Sequence, residues 1–188
     1  MIDLANVYPP YAMTSAAANA RLVCFNHGKE SGPWGTKISR LAEVAQACGF
    51  AVISPDYSHT HDPRSRLDHL ISTVAPRSET LVLVGSSMGG YVAAHACATL
   101  KPAALFLMAP ALYFDGWAEE PQGIPADVEV VHGWGDDVVP LAKAQRFAAR
   151  HRAALHVLNA DHGLSTALPT IAALFERQLH RVIAGAAS

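Results

Sequence analysis

Residues 80–100 read TLVLVGSSMGGYVAAHACATL, an apolar run, then Gly85-Ser86-Ser87-Met88-Gly89, then a segment of helical composition. The run over 80–84 is wholly apolar at its centre, as suits a strand covered on both faces. The G-x-S-x-G that follows puts a serine on a sharp strand-to-helix turn. A serine there takes strained backbone angles, and side chains two positions to either side would clash with it. Gly85 and Gly89 remove both clashes. The turn lifts the Ser87 hydroxyl above the sheet and leaves the Met88 amide, at the helix N-terminus, free for a developing oxyanion. Ser86, one residue off the motif, is expected to be structural. The same turn also suits a plain strand-to-helix connection. A phosphate loop fits less well, because neither G-x-x-x-x-G-K-S/T nor G-x-G-x-x-G occurs.

Outward from this turn, short apolar runs alternate with segments of helical period, the pattern of an α/β fold with a parallel sheet. Upstream, strands are expected over 22–25 and 50–54, with a helix between them carrying Ile38, Leu41, Ala45 and Cys48. A second helix is capped by Asp62, starts on Pro63, and turns Leu67, Leu70, Ile71 and Val74 inward. Downstream, strands are expected over 103–108, 128–131 and 155–158. Helices follow over 140–152, with Leu141, Ala144, Phe147 and Ala148 inward, and over about 165–183, with Leu168, Ile171, Leu174 and Leu179 inward. The expectation is a doubly wound, mainly parallel sheet of about six strands flanked by helices, in one domain over 1–188. Residues 1–20 read as an N-terminal arm or edge extension.

The 188 residues carry a net charge of -2, with 51% hydrophobic and 16% charged residues. That composition excludes a disordered chain, and the scattered basic residues argue against nucleic-acid or anionic-membrane partners. No stretch approaches the ~18–20 apolar residues of a membrane span. The first twenty residues hold no Lys or Arg, so a secretory leader is not expected and the chain reads as cytoplasmic. Cys24, Cys48 and Cys97 are far apart and form no CxxC pair, so free thiols, no metal and no cofactor are expected.

At this point the chain resembles the α/β-hydrolase superfamily from Leu22 to the last helix. Besides the serine turn, Phe25-Asn26-His27-Gly28-Lys29 looks like that family's oxyanion loop. Val131-His132-Gly133-Trp134-Gly135-Asp136-Asp137-Val138-Val139-Pro140 is similar to its acid loop, and Asn159-Ala160-Asp161-His162-Gly163 to its histidine loop. The resemblance implies a triad of Ser87, His162 and Asp136, with the backbone N–H groups of Met88 and Lys29 as oxyanion donors. It implies an esterase, thioesterase or amidase acting on a small-molecule acyl substrate. The stretch between the fourth and fifth strands is too short for a folded cap, so an open, shallow site is expected.

Asp137 is the rival acid, one residue further along the loop. Asp161 is expected not to reach the imidazole beside it, and His27 and His132 to order their loops by hydrogen bonds. The loops at the carboxyl ends of the strands offer Trp34, Tyr57, His59, His61, Tyr113, Phe114 and Trp117 as substrate-facing residues. For each, ordinary loop packing is the competing reading. His59, His61, Asp62 and His69 resemble part of a dinuclear metal motif, but the spacing is incomplete and Asp62 already serves as a cap. Two other functional readings stay open: a non-catalytic binding module on this fold, and a metallohydrolase using that histidine segment.

Overall fold

Six strands, all parallel, lie side by side in the order β2-β1-β3-β4-β5-β6. They are β1 (Arg21–Asn26), β2 (Ala51–Ile53), β3 (Thr80–Ser86), β4 (Ala104–Met108), β5 (Asp127–Gly133) and β6 (Ala154–Leu158). The helices are α1 (Thr36–Ala47), α2 (Pro63–Val74), α3 (Met88–Leu100), α4 (Leu141–His151) and α5 (Leu168–Gly185). The computed structural model describes residues 21–74 and 80–186; the arm expected over 1–20 lies outside them.

Strand alternation divides the core into two layers. Val23, Phe25, Val82, Val84 and Phe106 pack with Ile38 and Leu41 of α1 and with Ile171 and Phe175 of α5. Their neighbours Leu22, Cys24, Leu81, Leu83, Leu105 and Leu107 pack with Leu70 of α2, Val92 of α3 and Phe147 of α4. The ring of Phe175 contacts Phe25 and Phe106, with centroids 6.2 and 5.2 Å away. Truncating so buried a ring to alanine costs about 3–5 kcal/mol. The central helix α3 is buried over most of its surface, which explains its run of Ala and Gly.

Two expectations need correction. On α2 the buried residues are Pro63, Arg66, Leu70 and Val74, while Leu67 and Ile71 are only half-buried. The helix is rotated so that a charged residue, Arg66, occupies the inner face. The last helix does not run unbroken from Ser165: a 3-10 turn, Ser165–Ala167, precedes α5, and Leu168 is half-buried. Asp62 does cap α2, its Oδ2 accepting the Ser65 N–H at 2.9 Å.

Candidate active site

Ser87 sits between β3 and α3 with φ 54° and ψ -120°, a conformation costly for a residue with a side chain. Three backbone hydrogen bonds hold it there. Its N–H donates to Met108 O (3.0 Å), and its carbonyl accepts from Gly90 N (2.9 Å) and Ala111 N (2.9 Å). The flanking glycines are required by space. A Cβ on Gly85 would lie 2.4 Å from Gly89 O, and one on Gly89 would lie 1.9 Å from Asn26 O.

The structure brings Ser87, His162 and Asp136 into one hydrogen-bonded chain. His162 Nδ1 lies 2.8 Å from Asp136 Oδ2, and His162 Nε2 lies 3.1 Å from Ser87 Oγ. A carboxylate can only accept, so Nδ1 carries the proton and Nε2 is left to accept from the serine hydroxyl. Asp136 has a fully buried side chain. Burial opposes its ionisation, but the amides of Val139 (2.8 Å) and Val138 (3.0 Å) on Oδ1, with the imidazole on Oδ2, hold the carboxyl below its usual range. Asp137 is exposed and Asp161 turns its Oδ1 to Leu164 N (3.1 Å), so neither acid takes the place on His162.

The acid and histidine loops are joined through their backbones. Trp134 N donates to Leu158 O and Gly135 N to Ala160 O, each at 2.9 Å. A Cβ on Gly133 would fall 2.3 Å from Ala160 O, so this close approach needs glycine. His132 Nε2 donates to Val139 O at 2.9 Å and lies 3.3 Å from Asp136 Oδ2, which ties the acid loop to its own strand.

Met88 and Lys29 both line the cavity beside Ser87. The direction of the Lys29 N–H follows from what holds the peptide before it. Gly28 O accepts from Arg66 Nη1 (3.2 Å) and from His27 Nδ1 (2.8 Å). In a trans peptide the N–H points opposite to the C=O, so the Lys29 N–H faces away from the buried Arg66. Arg66 also donates to the carbonyls of Thr60 (2.9 Å), His27 (3.3 Å) and Tyr57 (3.4 Å). His27, kept neutral by burial, accepts the Tyr57 N–H on Nε2 at 2.9 Å. Arg66 was not expected here. Its one sequence signal is a charged residue three positions after Pro63 and four before Leu70, on the buried stripe.

A cavity of about 930 Å³ opens over Ser87 and His162, lined among others by Tyr91, Phe114, Trp117 and Val138. An antiparallel bridge between Phe114 and Trp117, closed by Gly116 at φ 79°, raises a wall where no cap domain exists. Lys143 Nζ lies 3.2 Å from the Phe114 ring centre and Arg64 5.3 Å from that of Trp117. Lys37, at the start of α1, also lines the cavity and donates to Gly163 O at 2.8 Å.

Of the substrate-facing residues expected from the sequence, Trp117, Phe114 and His61 line this cavity, whereas Trp34, Tyr57, His59 and Tyr113 do not. Trp34 packs against the α1 and α5 layer of the core. Tyr57 is fully buried and donates its hydroxyl to Asn26 Oδ1 at 2.7 Å. His59 is exposed with its ring against His69 (5.6 Å between centroids). Tyr113 is buried and donates to Glu120 Oε1 at 2.8 Å. Among the described residues no trio of metal-ligating atoms includes His59, His61 or His69.

The profile of UPF0227, an uncharacterised protein family, matches residues 22–120. A protein of the alpha/beta hydrolase superfamily from Xanthomonas campestris pv. campestris is 29% identical, with a TM-score of 0.79 over 86% of this chain and 99% of that one. Est1E from Butyrivibrio proteoclasticus is 18% identical, with a TM-score of 0.74 over 88% and 89% of the two chains. A lidless α/β serine hydrolase of Xanthomonas campestris is also 18% identical, with a TM-score of 0.62 over 87% and 84%. No curated protein matches the sequence. The sheet is therefore that of the α/β-hydrolase fold without a cap domain. Among the described residues no helix is long and apolar enough to cross a membrane.

Proposed function

The chain belongs to the family UPF0227 and has the α/β-hydrolase fold, and from that premise we propose that it is a serine hydrolase cleaving acyl esters or thioesters. The observation that carries this reading is the continuous relay from Ser87 Oγ through His162 to the buried Asp136, at 3.1 and 2.8 Å. As Ser87 Oγ bonds to the acyl carbon, its proton passes to His162 Nε2. Asp136 stabilises the imidazolium without taking a proton. The carbonyl oxygen becomes an oxyanion facing the amides of Met88 and Lys29, each such donor being worth about 2.7–4 kcal/mol. Collapse breaks the bond to the leaving alkoxide or thiolate, which receives the proton from Nε2. Water then adds to the acyl-enzyme, losing its proton to His162; the Oγ–acyl bond breaks, Ser87 Oγ takes that proton back from Nε2, and the acid is released.

The cavity favours an apolar acyl group of small to moderate size, since Phe114, Trp117, Tyr91 and Val138 supply carbon surface and few polar groups. Fluorophosphonate treatment followed by intact mass and peptide mapping tests the reading. One adduct, on Ser87, with turnover of short acyl esters, is the expected result. Native protein that takes no adduct would make the chain a binding module on a hydrolase fold.

A further inference from the structure

At the end of the molecule opposite Ser87, α1 closes on Cys48, and Gly49 (φ 81°) turns the chain away. The helix is ~18 Å long at 1.5 Å per residue, so this end is remote from the cavity that its first turn borders. Here α1 packs beside α5, on which Glu176 and His180 lie one turn apart on one face. Cys48 Sγ is 3.8 Å from His180 Nε2. The sulfur, that imidazole's ligating nitrogen and a Glu176 oxygen all lie within 4.8 Å of one another, the one such trio among the described residues.

Cys48 is half-buried while Glu176 and His180 are exposed, so the cluster faces solvent. A thiolate, an imidazole and a carboxylate form a donor set suited to zinc rather than to magnesium or calcium. Zinc bonds of ~2.3 Å to sulfur and ~2.0 Å to nitrogen at a tetrahedral angle put those atoms about 3.5 Å apart. The observed separation lies within reach of small side-chain rotations.

We propose that Cys48, Glu176 and His180 form a zinc site that clips the end of α1 to α5, with water as fourth ligand. On binding, the Cys48 S–H bond breaks, its proton goes to solvent and a Zn–S bond forms. No electron is transferred. The thiolate and carboxylate balance the two charges of the ion. The site is independent of hydrolysis at Ser87, so chelation leaves ester turnover unchanged.

Titration of the full chain with Co(II), then displacement by Zn(II), tests this. The expected result is one equivalent of cobalt with a thiolate-to-metal charge-transfer band, and a rise in Tm of about 5 °C at saturating zinc. Cys48→Ser abolishes the band, and Glu176→Gln and His180→Ala each weaken zinc binding at least tenfold. The exposed His180 and Glu176 tolerate substitution without unfolding, so the test does not depend on the cysteine variant alone. Binding without the band, as surface histidines would give, overturns the site, and so does affinity unaltered by any one of the three substitutions.

Discussion

Two buried carboxylates at opposite ends of β5 show how one chemical group serves two ends. Asp136, just past the strand's carboxyl end, is held by two backbone amides and one imidazole in a loop whose glycines permit backbone-to-backbone contact. Glu129, near the amino end, is bound by long side chains from neighbouring elements, Arg181 of α5 and His156 of β6 (2.9 Å). Arg181 reaches Asp127 as well, at 2.8 and 3.1 Å, and Gln178 adds a bond to Asp127 Oδ1 at 3.0 Å. The first arrangement fixes one acceptor direction to within the play of a peptide plane. The second ties a helix to a sheet with flexible arms. Orientation is the product at one end, attachment at the other.

Removing the Ser87 hydroxyl gives the largest expected effect and separates the two ends most sharply. Ser87→Ala should lower kcat by about 10⁴-fold or more while leaving the thermal midpoint near that of the parent. Ser86→Ala should do far less, and equal losses from both would sink the assignment. Next comes Arg66→Lys, which keeps the charge but loses the fork that holds the carbonyls of His27, Gly28, Thr60 and Tyr57. We expect kcat to fall about 10-fold and phosphonate labelling to slow in parallel, as the Lys29 amide loses its fixed direction. Labelling at the parental rate would show that the hold of Arg66 on the His27 and Gly28 carbonyls does not bear on reactivity at Ser87.

Arg181→Met attacks the other end. Half of the arginine is in water, so the loss is discounted to about 1–2 kcal/mol, read by urea denaturation with kcat unchanged. A drop in kcat would show that the two ends are coupled. The smallest effect is one of pH. Burial holds His27 and His95 below their ordinary pKa in the fold, so the unfolded chain takes up protons first as acid is added. Stability should therefore fall as pH drops below about 6.5 and level off once the folded groups protonate. In His27→Gln the slope should shrink to the share of His95; an unchanged slope would mean that His27 is not held neutral.

The elements and the Ser87, His162 and Asp136 positions were legible because each is signalled locally. A strand's apolar run ends, a glycine follows, and the polar residue sits within a few positions of it. Residues of the cavity wall were less legible. Whether Tyr57 or Tyr113 turns to the cavity or to the core depends on partners distant in sequence, Asn26 for one and Arg146 over the ring of the other. Arg66 escaped notice because a charge on a helix reads as a solvated position, and here four backbone carbonyls replace water. The Cys48 and His180 pairing joins residues 132 positions apart, with no shared spacing to reveal it.

The backbone bonds between the loops of Asp136 and His162 group the three site residues as a pair and a single. Asp136 and His162 ride together on β5 and β6, while Ser87 is anchored to β3 and β4 through Met108 and Ala111. Between that pair and Ser87 lies a single side-chain contact, the 3.1 Å from Ser87 Oγ to His162 Nε2. A change that shifts the edge strand β6 would carry the imidazole and its carboxylate together, and that one distance would register it.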